Sequence, residues 1–252
     1  MANGLTAEQP FPEGERFLEI VAATEESCAR ATLERIGQTG RQAPETHRRF
    51  GDLLSILYRE ACCAFGCPGG DHLGQRIAGR VVSHALGSYR LLCGGYYDES
   101  FALTRNLGEA ANLLFLFLWE PNSLSEWRIA DEAQRKRDFS PIKVRLKLEQ
   151  LGQPIPIDET RYGGLCEVAV HLTPASTPQA HNPRGVPTLG SVPQDAGFLA
   201  ALNELAGATG VCGAGLVQLL DCGERGKGIM RAAADMLNNV GGVDLRRLRD
   251  LR

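Results

Sequence analysis

The sequence predicts an all-α protein, a multi-helix bundle built around a central antiparallel helical hairpin. Apolar residues recur at spacings of three and four along most of the 252 residues, and no segment alternates between apolar and polar residues as a strand does. The run from Ala110 to Trp119 is apolar almost all the way round a helix, which is typical of a buried helix. Gly94 and Gly95 make a tight connection before it, so the preceding helix should form the other half of the hairpin.

The first three helices are predicted from apolar stripes and from the residues that end them. The first covers residues 15–36 and is stopped by two glycines. The second covers residues 44–65, with proline in its first turn and a Cys-Pro-Gly-Gly sequence after it. The third covers residues 73–93 and leads into the hairpin turn.

Shorter helices are predicted after the hairpin. Pro121 closes its second helix, and further helices are expected over 124–137 and 141–151. Asp158 or Thr160 can cap a helix that runs to residue 171, because short polar side chains accept hydrogen bonds from a helix start.

Residues 173–194 contain five prolines and show neither helical nor strand periodicity. A loop of this length is usually functional or disordered. It contains His181 and Arg184 and could form a lid, while disorder or an ordered strap is the alternative. We therefore predict three parts, a helical core over 1–172, this loop, and a C-terminal helical subdomain over 195–252 packed on the core.

The C-terminal part is rich in small residues. Helices are predicted over 196–208, 212–220 and 228–240. A short basic tail follows, with Leu245 and Leu248 among arginines, and it could dock on a partner or on the body of the protein.

Composition and charge limit the function classes. The net charge of −3 predicts no overall basic field that would capture nucleic acid. Arginine outnumbers lysine 23 to 4, which could indicate phosphate binding, but a genome-wide codon bias is the commoner cause and is favoured here. No basic-then-apolar leader is visible, and the run ending at Trp119 is about half the length of a membrane span. We expect a cytoplasmic protein without a membrane partner, whose eight cysteines are reduced thiols.

A polar cluster interrupts the second helix of the hairpin. Asp98, Arg105, Glu109 and Asn112 fall within a sector of roughly 60° at 100° per residue. Charged groups on a core helix are costly unless other parts of the chain bind them. The cluster is interpreted either as a core ion pair completed by neighbouring helices or as a functional site.

Polar residues dispersed on the helices are the only candidates for catalysis. A histidine would move a proton and an arginine would stabilise negative charge on a phosphodiester. The same residues could instead form a hydrogen-bond network that fixes helix register. The candidates are Arg80, His84, Arg105, Glu109, Tyr162 and His171.

Metal and cofactor motifs are not apparent in the sequence. Cys62, Cys63, Cys67 and His72 lie close together but lack a Cys-x-x-Cys pair, so we predict core cysteines and no metal site. The chain has no phosphate-binding glycine motif and no Gly-x-Ser-x-Gly sequence, and no cofactor is expected.

Two short stretches resemble a bacterial family of helical proteins of unknown function. They are GYYDESFALTRNLGE at 95–109, with its Arg-x-x-x-Glu, and YGGLCEVAVH at 162–171, where Cys166 stands in place of the more usual serine. The resemblance spans about residues 80–171. In outline such proteins are similar to HEPN helical domains, many of which are ribonucleases of toxin or phage-defence systems. The HEPN hallmark is an arginine followed by a histidine after four to six intervening residues. Only Arg41 and His47, with five residues between them, match it here.

Three functions follow as hypotheses. The first is a non-catalytic interaction module of a bacterial stress or defence system, which forms a homo-oligomer or binds a protein partner. The second is a HEPN-like, metal-independent ribonuclease or another phosphoryl-transfer enzyme, with RNA as its partner. The third is a small-ligand sensor with the proline-rich loop as its lid.

Overall fold

A computed structural model describes residues 11–38, 42–65, 69–174, 176–220 and 223–240. Over these ranges the chain forms helices and no strands, which confirms the predicted all-α multi-helix bundle. A single 3-10 turn, Cys63–Phe65, follows the second helix. The helices are α1 Gly14–Ile36, α2 Gln42–Ala61, α3 Leu73–Cys93, α4 Tyr97–Trp119, α5 Pro121–Ile129, α6 Glu132–Asp138, α7 Pro141–Gln150, α8 Glu159–Ala169, α9 Asp195–Leu220 and α10 Glu224–Val240.

Some predicted features lie outside the described residues. They are most of the N-terminal lead, the basic tail from residue 241 onward, Arg41, Cys67 and Cys222.

The single helix predicted over 124–137 is wrong, because the structure has two helices there. α5 ends at Ile129, and Ala130 is extended, with ψ of 138°. Asp131 then starts α6, since its side chain accepts a hydrogen bond from the Gln134 backbone N–H and the Gln134 side chain bonds back to the Asp131 N–H. This reciprocal capping box fixes a new helix start.

The break predicted within the C-terminal part, between residues 208 and 212, is also wrong. α9 is continuous from Asp195 to Leu220 in spite of its glycines. A Cβ on Gly215 would lie 2.8 Å from Leu114 Cβ, and one on Gly210 would lie 3.0 Å from Leu237 Cγ. Glycine lowers helix propensity, but here it lets α4 and α10 approach the α9 backbone. The close packing of α4 and α10 against α9 therefore outweighs the low helix propensity of its glycines.

The main apolar core draws on both ends of the chain. α9 packs against α2, α3, α4 and α10, while α4 packs against α3, α5, α7, α8 and α9. Leu57, Phe115 and Leu205, from three of these helices, are fully buried in one cluster. The division into a core and a C-terminal subdomain stays a prediction, and residues on both sides of the proline-rich loop share this cluster.

α9 is long and apolar enough, by length and composition, to cross a membrane. The core helix of a soluble protein passes the same test, and 72% of the apolar window of α9 is buried inside the bundle. The cytoplasmic location therefore stays a prediction.

The connection between α3 and α4 is short and closely packed. Ser88 of α3 hydrogen-bonds with the hydroxyls of Ser100 and Thr104 of α4, at 2.8 and 3.0 Å. Gly95, with φ of +81°, lies in the turn, where a Cβ would come within 2.8 Å of the Val192 backbone nitrogen. Glycine is required at this position both by the backbone conformation and by the close approach of residues 191–192.

Candidate functional site

The polar sector of α4 is contacted by three separate parts of the chain. Asp98 contacts the proline-rich loop, Glu109 contacts α8, and Asn112 contacts the segment between α7 and α8. Asn112 is buried, and Asp98, Arg105 and Glu109 are partly buried. The sector therefore holds together segments that are distant in sequence.

Asn112 binds the backbone of Ile157 at two points. Its Nδ2 donates to the Ile157 carbonyl at 2.9 Å, and its Oδ1 accepts from the Ile157 N–H at 2.9 Å. Asn112 is only 2% exposed, so both peptide groups of a non-helical residue are satisfied inside the protein. Gly108 lies one turn away, and a Cβ there would come within 2.7 Å of Ile157 Cδ1.

Arg105, Glu109 and Tyr162 form a compact cluster. Arg105 Nη2 donates to Glu109 Oε1 at 2.5 Å, and the Tyr162 hydroxyl from α8 donates to the same oxygen at 2.8 Å. The side chains of Arg105 and Glu109 are 18% and 27% exposed. Burial, together with the hydrogen bond to Glu109, raises the pKa of Tyr162 to about 12. Tyr162 is therefore a protonated donor at neutral pH.

Arg145 of α7 completes this cluster, and the sequence analysis missed it. Its guanidinium lies 4.6 Å from the centre of the Tyr162 ring, and that of Arg105 lies 5.1 Å from it. Both distances are in the range of cation–π attraction. Val144 and Leu148 form the buried face of α7. The position of Arg145 next to Val144 is the sequence signal that its side chain could reach the interior.

The cavity beside this cluster is small. It lies between α4, α9 and the start of α8, is lined by Thr104, Gly108 and Arg161 among others, and measures about 20 Å³. That volume suits about one water molecule. A groove of about 720 Å³ lies elsewhere, between α5, α6 and α7.

The proline-rich loop is an ordered strap across the start of α4. Tyr96, the residue before α4, makes no side-chain capping hydrogen bond. Gln179 Oε1 instead accepts hydrogen bonds from the backbone N–H groups of Tyr97 and Asp98, at 2.8 and 3.4 Å. Asp98 Oδ2 accepts from the Gln179 N–H at 2.7 Å. The strap thus satisfies backbone donors that every helix leaves unpaired at its start.

The strap is fixed at further points. His181 Nε2 lies 2.8 Å from Asp98 Oδ1. Gln194 donates from its side chain to the Gln179 carbonyl and from its backbone to the Tyr97 hydroxyl, both at 2.8 Å. Burial raises the pKa of Tyr97 to about 12. These bonds favour the ordered-strap interpretation over disorder.

The other candidate residues lie apart from the cluster. Arg80 is exposed on α3, and His171 is exposed beyond the end of α8. His84 is partly buried on α3, where burial and the charge of Arg80 lower its pKa. Among the described residues, no hydrogen bond or ion pair joins these three to Arg105, Glu109 or Tyr162.

His47, the histidine of the HEPN-like match, contacts a tyrosine of the neighbouring helix. His47 Nε2 lies 2.6 Å from the Tyr89 hydroxyl, and burial lowers the pKa of His47. The Tyr89 ring also packs against Phe50, with ring centres 5.6 Å apart. His47 therefore takes part in the contact between α2 and α3.

The described cysteines differ in their burial. Cys28, Cys93, Cys166 and Cys212 are buried, and burial raises the pKa of Cys212 to about 12. The prediction of a core cysteine is wrong for Cys63, which is exposed, with its sulfur 3.5 Å from His72 Nδ1. Within the described residues, no group of three or more His, Cys, Asp or Glu side chains is arranged to hold a metal ion.

No protein-family model, curated protein or solved structure matches this chain. The family resemblance and the HEPN-like relationship therefore stay predictions.

Proposed function

We propose that this protein is a non-catalytic helical interaction module, in which the polar sector of α4 fixes the architecture of the bundle. The observation that carries the proposal is that Arg105 and Tyr162 both donate to Glu109 Oε1, away from both candidate histidines. Side chains that are hydrogen-bonded to one another in this way position the helices that carry them. A role in bacterial stress or defence is part of the proposal and is supported only by the sequence resemblance.

The first experiment is thermal unfolding of Arg105→Ala with Arg80→Ala as the matched control. Removal of Arg105 leaves a largely buried carboxylate with Tyr162 as its remaining donor among the described residues. The expected loss of unfolding free energy lies between the values for exposed and buried ion pairs, at about 1–3 kcal/mol. This loss should lower the melting temperature by roughly 2–10 °C. Arg80 is exposed, so its replacement should leave the melting temperature unchanged. An Arg105→Ala protein that melts normally but loses its cellular effect would contradict the proposal.

The rival function is metal-independent cleavage of RNA. The observation that favours it is a pair of buried guanidinium nitrogens, Arg105 Nε and Arg145 Nη1, which have no hydrogen-bond partner among the described residues. Such donors could bind a phosphate oxygen. Cleavage of transfer or messenger RNA without added metal, stopped by His171→Ala in a folded protein, would establish this rival. Intact RNA after incubation with the wild-type protein would exclude it for those substrates.

A further inference from the structure

The groove between α5, α6 and α7 is lined by apolar and charged side chains. Its apolar lining, which we call the floor, includes Ile129, which is 85% exposed, and Leu146, which is 42% exposed. Its cationic lining, which we call the rim, is Arg137, Lys143 and Lys147, and it outnumbers the two acidic residues of the lining, Glu126 and Asp138. We call this surface the α5–α7 groove.

Positive charge is concentrated around this groove. Residues 128–147 hold seven basic and three acidic residues, a net charge of +4, while the rest of the chain carries −7. Three of the four lysines, Lys136, Lys143 and Lys147, lie in this stretch. Arg137 is paired with Asp138 at 2.9 Å, whereas no ion pair to Lys143 occurs among the described residues. The rim thus offers cationic groups to an anionic partner.

The amino-terminal half of α1, with the residues just before it, has the opposite character. α1 is buried through Cys28, Ala29, Thr32 and Ile36, all in its second half. Residues 11–27, which we call the acidic arm, hold five glutamates and one arginine, a net charge of −4. Most of the arm is exposed.

The acidic arm also exposes large apolar side chains. Phe11 is 67% exposed, Phe17 is 37% exposed and Leu18 is 64% exposed. The rings of Phe11 and Phe17 lie 5.7 Å apart and form one apolar tip. A contiguous apolar tip with acidic neighbours is typical of a surface that docks on another protein.

We infer that the acidic arm of one copy docks in the α5–α7 groove of a second copy. The two surfaces match in both properties, apolar tip with apolar floor and glutamates with the Lys143–Lys147 rim. Within the part of the chain that the structure describes, the groove is lined by residues from 126 to 150, so the arm of the same copy does not fill it. A contact between two different surfaces is head-to-tail, and it builds a ring or an open chain of copies. This inference rests on the proposed interaction function and names its surface.

The test is sedimentation velocity of the full chain and of two charge-reversal variants. We expect the wild-type protein to associate as its concentration rises into the high micromolar range, and less so in high salt. Lys143→Glu/Lys147→Glu changes only the groove, and Glu15→Lys/Glu19→Lys changes only the arm. Each should weaken association by roughly tenfold or more, because like charges then face one another. All four residues lie near or at the surface, and circular dichroism checks that each variant is folded.

Mixing the two variants tests whether the arm and the groove bind each other. In the mixture, the acidic arm of the groove variant meets the cationic groove of the arm variant, and the lysines of the altered arm meet the glutamates of the altered groove. Because opposite charges face one another at both contacts, an equimolar mixture should associate more strongly than either variant alone. Lys227→Glu on α10 and Glu34→Lys in the second half of α1 are matched controls, and both should associate like the wild type.

Three results would overturn the inference. One is a wild-type protein that stays monomeric at every concentration in low salt. Another is a pair of variants that associate as the wild type does, or a mixture that associates no better than either variant alone. The third is a monomeric wild type that binds a labelled single-stranded RNA through Lys143 and Lys147, which would make the groove a nucleic-acid surface. None of these changes the melting temperature of Arg105→Ala, so the proposed function is tested separately.

Discussion

The side chain of Tyr162 is affected by burial, by neighbouring charges and by a hydrogen bond. It donates to Glu109 at 2.8 Å and lies between two guanidinium groups. Burial and the bond to Glu109 raise its pKa to about 12, compared with about 10 for a tyrosine in an unfolded chain. The folded state therefore keeps the Tyr162 proton at pH values where the unfolded state has lost it.

This difference predicts a loss of stability in alkali. Between about pH 10 and pH 12 the unfolded chain binds fewer protons at this tyrosine, so the free energy of unfolding falls as the pH rises. Tyr162→Phe should lower the free energy of unfolding at pH 7 by about 1.5–3 kcal/mol, the value of a hydrogen bond to a charged group. The same variant should also show a shallower alkaline decline.

Urea unfolding in a series from pH 7 to about pH 12 measures both effects. Tyr58→Phe is the matched control, since Tyr58 is 55% exposed on α2, and it should keep the wild-type decline. Equal alkaline slopes for the wild type and Tyr162→Phe would show that Tyr162 titrates alike in both states.

At the residue scale, the sequence could predict the need for partners but not the partners themselves. Helical spacing puts Asp98, Arg105, Glu109 and Asn112 in one sector, and the cost of burying charge implies that other groups bind them. Their partners lie far along the chain, with Tyr162 53 residues from Glu109 and Ile157 45 residues from Asn112. Contacts over such separations have no periodic signal.

At the scale of elements, α9 shows how packing overrides helix propensity. Its glycines break the sequence pattern, and two helices were predicted where the structure has one. A Cβ on Gly215 would meet Leu114 Cβ at 2.8 Å, whereas one on Gly164 of α8 would meet nothing within 4 Å. The two positions therefore give opposite signs for the same substitution.

We predict that Gly215→Ala destabilises the protein by about 1–3 kcal/mol, the usual cost of overpacking a core. Gly164→Ala should instead stabilise it by about 0.5–1 kcal/mol, because alanine favours a helix and the space around Gly164 is open. Denaturant unfolding of the two variants gives the sign directly. Stabilisation by Gly215→Ala would mean that α4 and α9 are packed less closely than described.

The strap and the break between α5 and α6 are two features that apolar periodicity in the sequence does not predict. Residues 176–194 are held by individual hydrogen bonds, such as that of Gln179 to the start of α4, and such bonds leave no periodic pattern in the sequence. The Asp131–Gln134 capping box, in contrast, was present in the sequence as an acid followed three residues later by a glutamine. It is a local signal of a helix start, and it outweighed the apolar spacing that predicted one helix.

At the scale of the whole molecule, two devices organise the protein. The small residues of α9 let the helices of both ends of the chain share one core. The polar sector of α4 then fastens the segment before α8, α8 itself and the strap onto that core. Glutamates are in excess on the acidic arm and basic residues are in excess around the α5–α7 groove, and the association that we infer between copies would join these two surfaces.

The central claim is that the strap and the segment before α8 are fastened to α4 separately, the strap by the bonds of Gln179 to the first turn of α4 and the other segment by the bonds of Asn112 to Ile157. Hydrogen exchange measured by mass spectrometry tests it most directly, on Gln179→Met and Asn112→Leu. We predict that Gln179→Met speeds exchange in residues 176–194 and in the first turn of α4 and leaves 153–169 unchanged, while Asn112→Leu speeds exchange in 153–169 and leaves 176–194 unchanged. Exchange that rises uniformly in both variants, or in neither, would contradict the claim.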